Sequence, residues 1–292
     1  MILCVIKSDA KNERTDIIDM NIIQAIVLGI VQGLTGLFPV SSSAHLILFQ
    51  NLMGLKDSVV FFDICVHIGT LFAVIFFFRK DIRDMAISVI DASNLMLRKD
   101  TKPYQIMTHP EAKLLILIII GSVPTAIIGL LFHKIADQMF SSVFLVGFAL
   151  IATGIALWKT RRLQDTDKTI ESFTARQALI IGIVQGLAVI PGISRSGSTI
   201  SAGIFLGLSR ETAGRYSFLL SIPSIFGATF LGMINLSGGV DIEMMPTIIG
   251  TITAGIVGYF SLTLLFYIIR KGNLHWFAPY CWFIGGIALM AG

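Results

Sequence analysis

Three serines and a histidine, Ser41, Ser42, Ser43 and His45, interrupt thirty-five residues, 20–54, that hold no Lys, Arg, Asp or Glu. A hydroxyl beside an imidazole can supply a nucleophile with its base, and the imidazole can also protonate a leaving group. The segment PGISRSGST carries Arg195, the sole basic residue between Arg176 and Arg210. A guanidinium keeps its charge, so in apolar surroundings it calls for an anion, a water-filled cavity or carbonyl groups. Ser194, Ser196, Gly192 and Gly197 permit close backbone approach, and a helix expected from Ile200 would present N–H groups with the positive end of its dipole. A phosphate suits such a nest. The structural alternatives are an arginine serving backbone carbonyls and a serine acting as a helix N-cap.

These groups sit in a chain of 292 residues, 54% hydrophobic and 14% charged, with a mean hydropathy of +0.82. Soluble domains carry about a quarter charged residues, so the composition implies an integral membrane protein. Charge-free runs at 114–132, 138–158, 216–240, 244–269 and 272–292, with 59–78 broken only by Asp63, reach or approach the roughly 20 residues a helix needs to cross a bilayer. Six full spans are expected. The net charge of +4 lies mostly in short loops beside these runs, where topology accounts for it and nucleic acid need not. Cys4, Cys65 and Cys281 have no metal-ligand spacing or disulfide pattern.

The chain also resembles itself. QAIVLGIVQGLTGLFPVSSSAH from Gln24 matches QALIIGIVQGLAVIPGISRSGS from Gln177 in apolar pattern, in both glycines of GIVQG, in a proline and in a serine cluster. Each copy is an apolar stretch broken at Pro39 or Pro191, then small polar residues, then a second short apolar stretch. Two half-length helices meeting at a polar turn describe a re-entrant hairpin; one kinked span per copy is the alternative. The expected fold is all-α: a polytopic membrane domain of about six transmembrane helices plus two re-entrant hairpins in inverted-topology repeats. Residues 1–19 form a polar extension, 20–160 the first repeat (hairpin 21–55 plus three spans) and 174–292 the second (hairpin 177–208 plus three spans). Basic loops starting at Arg79, Arg98, Lys159 and Arg270 are placed in the cytoplasm, which opens the first hairpin to the outside.

If the hairpins meet at a pseudo-twofold centre, His45 and the serines face Arg195 across one cavity. Gln32 and Gln185 head the same motif in each copy and either bond across the repeats or line that cavity. Asp63 and His67, four residues apart, share a helix face, as a satisfied polar pair or a second set of catalytic groups. His109, His133 and His275 read as loop-edge residues.

Together, GIVQGLTGLFPVSSSAHL, FDICVHIGTLFAV, PGISRSGSTI and RYSFLLSIPSIFGA resemble the undecaprenyl-diphosphate phosphatase family, the bacitracin-resistance proteins, collinearly from about Met20 to the C-terminus. The resemblance implies hydrolysis of a long-chain isoprenoid diphosphate at the outer side of the bacterial cytoplasmic membrane, in recycling of the cell-wall lipid carrier. It implies Ser42 as nucleophile, His45 as acid/base, and Arg195 with Ser194, Ser196 and Thr199 as diphosphate cradle, with Ser41 and Ser43 beside them. The family pattern also has a glutamate or glutamine followed by a second glutamate four residues on, where this chain has Gln32 and Gly36. Gly36 removes a carboxylate associated with catalysis and with divalent cations. Mg²⁺ or Ca²⁺ would then find few hard oxygen ligands beyond phosphates and hydroxyls. A carrier or flippase of polyprenyl phosphates, or a lipid-phosphate binder without turnover, suits the same residues. Membrane lipids are the expected surroundings, and glycine-rich spans allow a homodimer.

Overall fold

A computed structural model describes residues 20–55, 60–97, 109–132, 139, 142–235 and 244–291. Among them are eleven α-helices and no strand: α1 (Ile22–Thr35), α2 (Ser42–Leu52), α3 (Val60–Phe77), α4 (Arg79–Leu97), α5 (Pro110–Phe132), α6 (Val143–Lys159), α7 (Ala175–Leu187), α8 (Arg195–Phe205), α9 (Arg210–Asn235), α10 (Met244–Arg270) and α11 (Ala278–Ala291). The protein is an all-α, multi-pass membrane protein. In a bilayer, helices satisfy backbone polar groups within the segment, which is why the apolar runs take this form. Side chains such as Phe72, Ile119, Phe226 and Phe260 are exposed on the helix surfaces, where lipid rather than water is the solvent.

Five helical stretches are long and apolar enough to cross a membrane, one each in α3, α5, α9 and α10 and one running from α6 into the turn after it. The expected sixth span, 272–292, is instead a shorter apolar helix from Leu274 to Met290, because the turn at Gly272 and Asn273 delays its start. The basic stretch from Arg79, expected as a loop, is the helix α4. Its Met85 is buried and Ile82 packs on the core, giving an otherwise polar segment an anchored face. Residues 1–19, the basic loop from Arg98, and His133 lie outside the described residues.

Each copy of the repeated motif forms two short helices with matching local bonds. Asn21 and Thr174 close capping boxes with Gln24 and Gln177. The same glutamines reach the far ends of the pairs, from Gln24 Nε2 to the Met53 carbonyl (3.3 Å) and from Gln177 Nε2 to the Leu206 carbonyl (2.9 Å). A glutamine 29 residues before its carbonyl acceptor has produced the same clasp twice.

The helix pairs pack across the two halves of the chain: α1 and α3 on α10, α5 on α7, and α6 on α11. The first glycine of each GIVQG makes this approach. A Cβ on Gly29 would sit 2.5 Å from the Gly250 carbonyl oxygen, and one on Gly182 would collide with the Gly121 carbonyl. Small residues let membrane helices come this close, and van der Waals contact then holds them. Thr125 Oγ1 adds a bond to the Gly182 carbonyl at 2.8 Å. Polar side chains bind the basic ends of the helices: Arg215 pairs with Asp81, Arg270 with Glu211 (2.6 Å), and Arg210 donates to the Leu163 carbonyl (2.9 Å).

Replacing Gly182 with Val is expected to force α7 away from α5 and to cost about 1–3 kcal/mol. Thermal unfolding in detergent measures it; an unchanged midpoint would show that the close approach contributes nothing.

Candidate active site

The two motif turns meet. Between α1 and α2 the chain turns through residues 36–41, and Ser41 takes φ 66°, the one non-glycine residue in the left-handed region among those described. That conformation costs an L-residue about 1–2 kcal/mol, so it needs support. Ser41's side chain makes no capping bond to α2; its carbonyl instead accepts from His45 Nδ1 at 2.8 Å. Between α7 and α8 the turn uses Gly192 at φ 91°, where a Cβ would strike the Val146 carbonyl. The following helix begins at Arg195, not at Ile200 as expected, because Ser194 caps it by accepting from the Gly197 N–H (3.2 Å). A Cβ on Gly197 would lie 2.9 Å from Pro39 Cβ, so the two breaks touch. Ser41 and Ser43 in one turn, and Ser194 and Ser196 in the other, place their hydroxyl oxygens 3.4 Å apart.

A cavity of about 160 Å³ lies between the turns. Ser41, Ser42, Ser43 and Gly36 line it from the first, Ser194, Arg195 and Ser196 from the second, with His67, Gln32 and Gln185 on its walls. Arg195's guanidinium has no hydrogen-bond or ion-pair partner among the described residues. Its helix is fixed from behind: Thr199 Oγ1 donates to the Arg195 carbonyl (2.7 Å) and lies 2.5 Å from Ser217 Oγ. Of the three serines in the first turn, Ser42 is half-buried while its neighbours are buried. Gln32 Nε2 reaches Thr70 Oγ1 at 3.5 Å, and Gln185 Nε2 reaches Thr125 Oγ1 at 3.4 Å and Ser224 Oγ at 3.2 Å. Both glutamines line the cavity while their side-chain carbonyl oxygens, buried, have no donor among the described residues.

Three residues expected at the cavity stand elsewhere. His45 is buried, with Nδ1 on the Ser41 carbonyl and Nε2 2.5 Å from Tyr280 Oη on α11, over whose ring it stacks. With Nδ1–H donating to a carbonyl, Nε2 carries the lone pair and accepts from the phenol. Both nitrogens are therefore occupied, and His45 clamps the strained turn onto α11, as the Cys281 thiol does by donating to the Pro39 carbonyl (3.3 Å). Thr199 is fully buried behind Arg195. Asp63 turns away to accept from Gln50 Nε2 (2.7 Å), so the carboxylate and His67 do not form the expected side-chain pair; His67 Nδ1 donates to Asp63's backbone carbonyl at 2.6 Å. Sequence spacing placed His67 and Asp63 on one face but carried no sign that only the imidazole reaches the cavity.

The family model described as Bacitracin resistance protein BacA matches residues 25–287. This chain belongs to that family. It is 46% identical over 273 residues to an undecaprenyl-diphosphatase of Desulfosudis oleivorans, covering 94% of this chain and 99% of the relative. It is 44% identical to one of Desulfatibacillum aliphaticivorans, with 93% and 99% covered, and 36% identical to one of Methanobrevibacter smithii, with 93% and 98% covered.

In this BacA-family cavity the side-chain oxygens are those of hydroxyls and amides, and no Asp or Glu among the described residues lines it. Gly36 stands on its wall in helical conformation, where a Cβ would lie 2.6 Å from the Gln32 carbonyl oxygen. Mg²⁺ and Ca²⁺ favour carboxylate oxygen, and the described residues contain no group of three or more His, Cys, Asp or Glu placed to hold an ion. Among the described residues the donor set does not fit a protein-held divalent cation.

The clamp has a measurable weight. Tyr280→Phe leaves His45 Nε2 buried without its donor, at an expected cost of about 1–3 kcal/mol in stability. A detergent melting curve reads this as a lowered midpoint, and an unmoved midpoint would remove the clamp's structural role.

Proposed function

We propose that this protein hydrolyses undecaprenyl diphosphate to the monophosphate and inorganic phosphate. The observation that carries the reading is Arg195: a guanidinium without a hydrogen-bond or ion-pair partner among the described residues, in a cavity shared with serine hydroxyls and set among apolar helices. A diphosphate headgroup supplies the missing negative charge, and a long isoprenoid tail suits the apolar faces around it. The relatives named as undecaprenyl-diphosphatases support the substrate.

In this reading Arg195 and the Ser194 and Ser196 hydroxyls hold the terminal phosphate and stabilise charge as it builds on the phosphoryl oxygens. Arg195, rather than a protein-held Mg²⁺ or Ca²⁺, supplies the positive charge. Ser42, the least buried serine of its turn, attacks the terminal phosphorus. The strained backbone at Ser41 fixes its approach. The paired short helices are re-entrant hairpins of two inverted repeats, a reading supported by their matching clasps and by the packing of each on the other half of the chain. With the basic helix ends in the cytoplasm, the cavity opens to the outer side of the cytoplasmic membrane.

Phosphate release from undecaprenyl diphosphate in detergent tests the reading. Arg195→Ala should lower turnover by about 100-fold or more and abolish binding of the lipid diphosphate, whereas Ser42→Ala should spare binding and stop hydrolysis. Lipid movement across proteoliposomes without phosphate release would select a carrier instead. A Gly36→Glu variant places a carboxylate at the cavity wall; if it alone releases phosphate and the native chain does not, the native sequence is not an efficient phosphatase.

A further inference from the structure

We infer that His67 is the general base of this cavity, accepting the Ser42 proton at Nε2, a role that rests on the phosphatase reading above. Of the residues that line the cavity only His67 and Arg195 are ionisable in the ordinary range or beyond it, and a guanidinium cannot accept a proton. A base is needed because a serine hydroxyl is a weak nucleophile until its proton is removed. Among the described residues no carboxylate stands on the wall: Gly36 carries no side chain and Asp63 is engaged by Gln50.

His67 is prepared for the role by its own helix. Nδ1–H donates to the carbonyl of Asp63 one turn back at 2.6 Å, which fixes the tautomer and leaves the lone pair on Nε2. Nε2 is buried and has no hydrogen-bond partner among the described residues. Buried polar atoms are nearly always paired, so one left unpaired at a cavity calls for a group that arrives with the ligand. His45 provides an internal control. It makes the same Nδ1 bond to the carbonyl four residues back, yet Tyr280 occupies its Nε2. Two histidines with the same local geometry therefore have opposite fates, and only His67 faces the cavity. Thr70, whose hydroxyl donates to the His67 carbonyl (2.9 Å), ties this turn of α3 to Gln32 on α1.

The proton balance closes without an added cofactor. As Ser42 Oγ bonds to the terminal phosphorus, its proton passes to His67 Nε2 and the bridging P–O bond breaks. The departing monophosphate oxygen takes that proton. Water then attacks the phosphoserine, giving its proton to His67, which returns one to Ser42 Oγ as the serine–phosphorus bond breaks and phosphate leaves. Each turnover consumes one water and leaves serine and imidazole as they began.

The test uses the full-length protein in detergent with undecaprenyl diphosphate. His67→Asn keeps an N–H able to reach the Asp63 carbonyl but has no basic nitrogen; kcat should fall by about 100-fold or more, with KM changed less than about threefold and an unaltered melting midpoint. His67→Ala should lose activity similarly and regain a measurable part with added imidazole, which a residue that only packs would not do. A kcat for His67→Asn within about threefold of the native value overturns the inference, as does loss of activity in both variants with no rescue by imidazole. Native protein that releases no phosphate at all would instead fail the phosphatase reading itself.

Discussion

An arginine cannot leave its charge behind when it enters a membrane, and in this protein nothing in the described structure neutralises Arg195. Taking such a charge out of water is expensive unless a cavity, an anion or hydrogen-bond acceptors receive it. The surrounding architecture meets that demand by holding open a polar space between two helix breaks. Thr199 and Ser217 secure the arginine's helix from behind, and Ser194 caps it. The guanidinium itself is left for whatever enters. A site that waits for an anion is the simplest physical account of an unpaired cation so placed.

Holding the space open requires the breaks to be rigid, because irregular backbone in a membrane survives only where protein or cavity water satisfies it. Each break is braced differently. The second uses glycine at a left-handed position and a serine cap, both local solutions. The first keeps a serine in the left-handed region and relies on α11, which brings Tyr280 and Cys281 to the turn from the far end of the chain. The pairing of α1 with α10 and of α5 with α7 through facing glycines then fixes where the two breaks meet. Rigidity at the turns is bought by contacts between segments remote in sequence.

The electrostatics of the cavity are lopsided in a way that shapes its chemistry. One permanent positive charge shares the cavity with hydroxyls, two amides whose carbonyl oxygens have no partner among the described residues, and an imidazole. Amide oxygens next to an incoming phosphate would repel it, so Gln32 and Gln185 are better placed to accept from water or from a protonated phosphate oxygen. With glycine at position 36 the wall gains no negative charge to offset Arg195. Anion binding is thereby favoured, and the burden of proton transfer falls on a nitrogen base.

Much of this was legible in the sequence. Charge-free runs announced an all-α membrane protein, the repeated GIVQG segments announced two matching helix pairs, and an arginine among small polar residues marked half of the cavity. These are properties of composition and spacing, which local physics translates directly into helices and breaks. The sixth run was too short once its opening turn was formed, and the basic segment from Arg79 became helix α4 because a few apolar side chains found the core. The choice between the histidines lay beyond any local signal. His45 and His67 have the same bond to the preceding turn, and what separates them is whether Tyr280, over two hundred residues away from His45, or an open cavity meets the second ring nitrogen. The sequence by itself determined which groups were present in the membrane; only the packing of distant helices decided which of them kept a free face, because a side chain's partner is set by what the fold brings opposite to it.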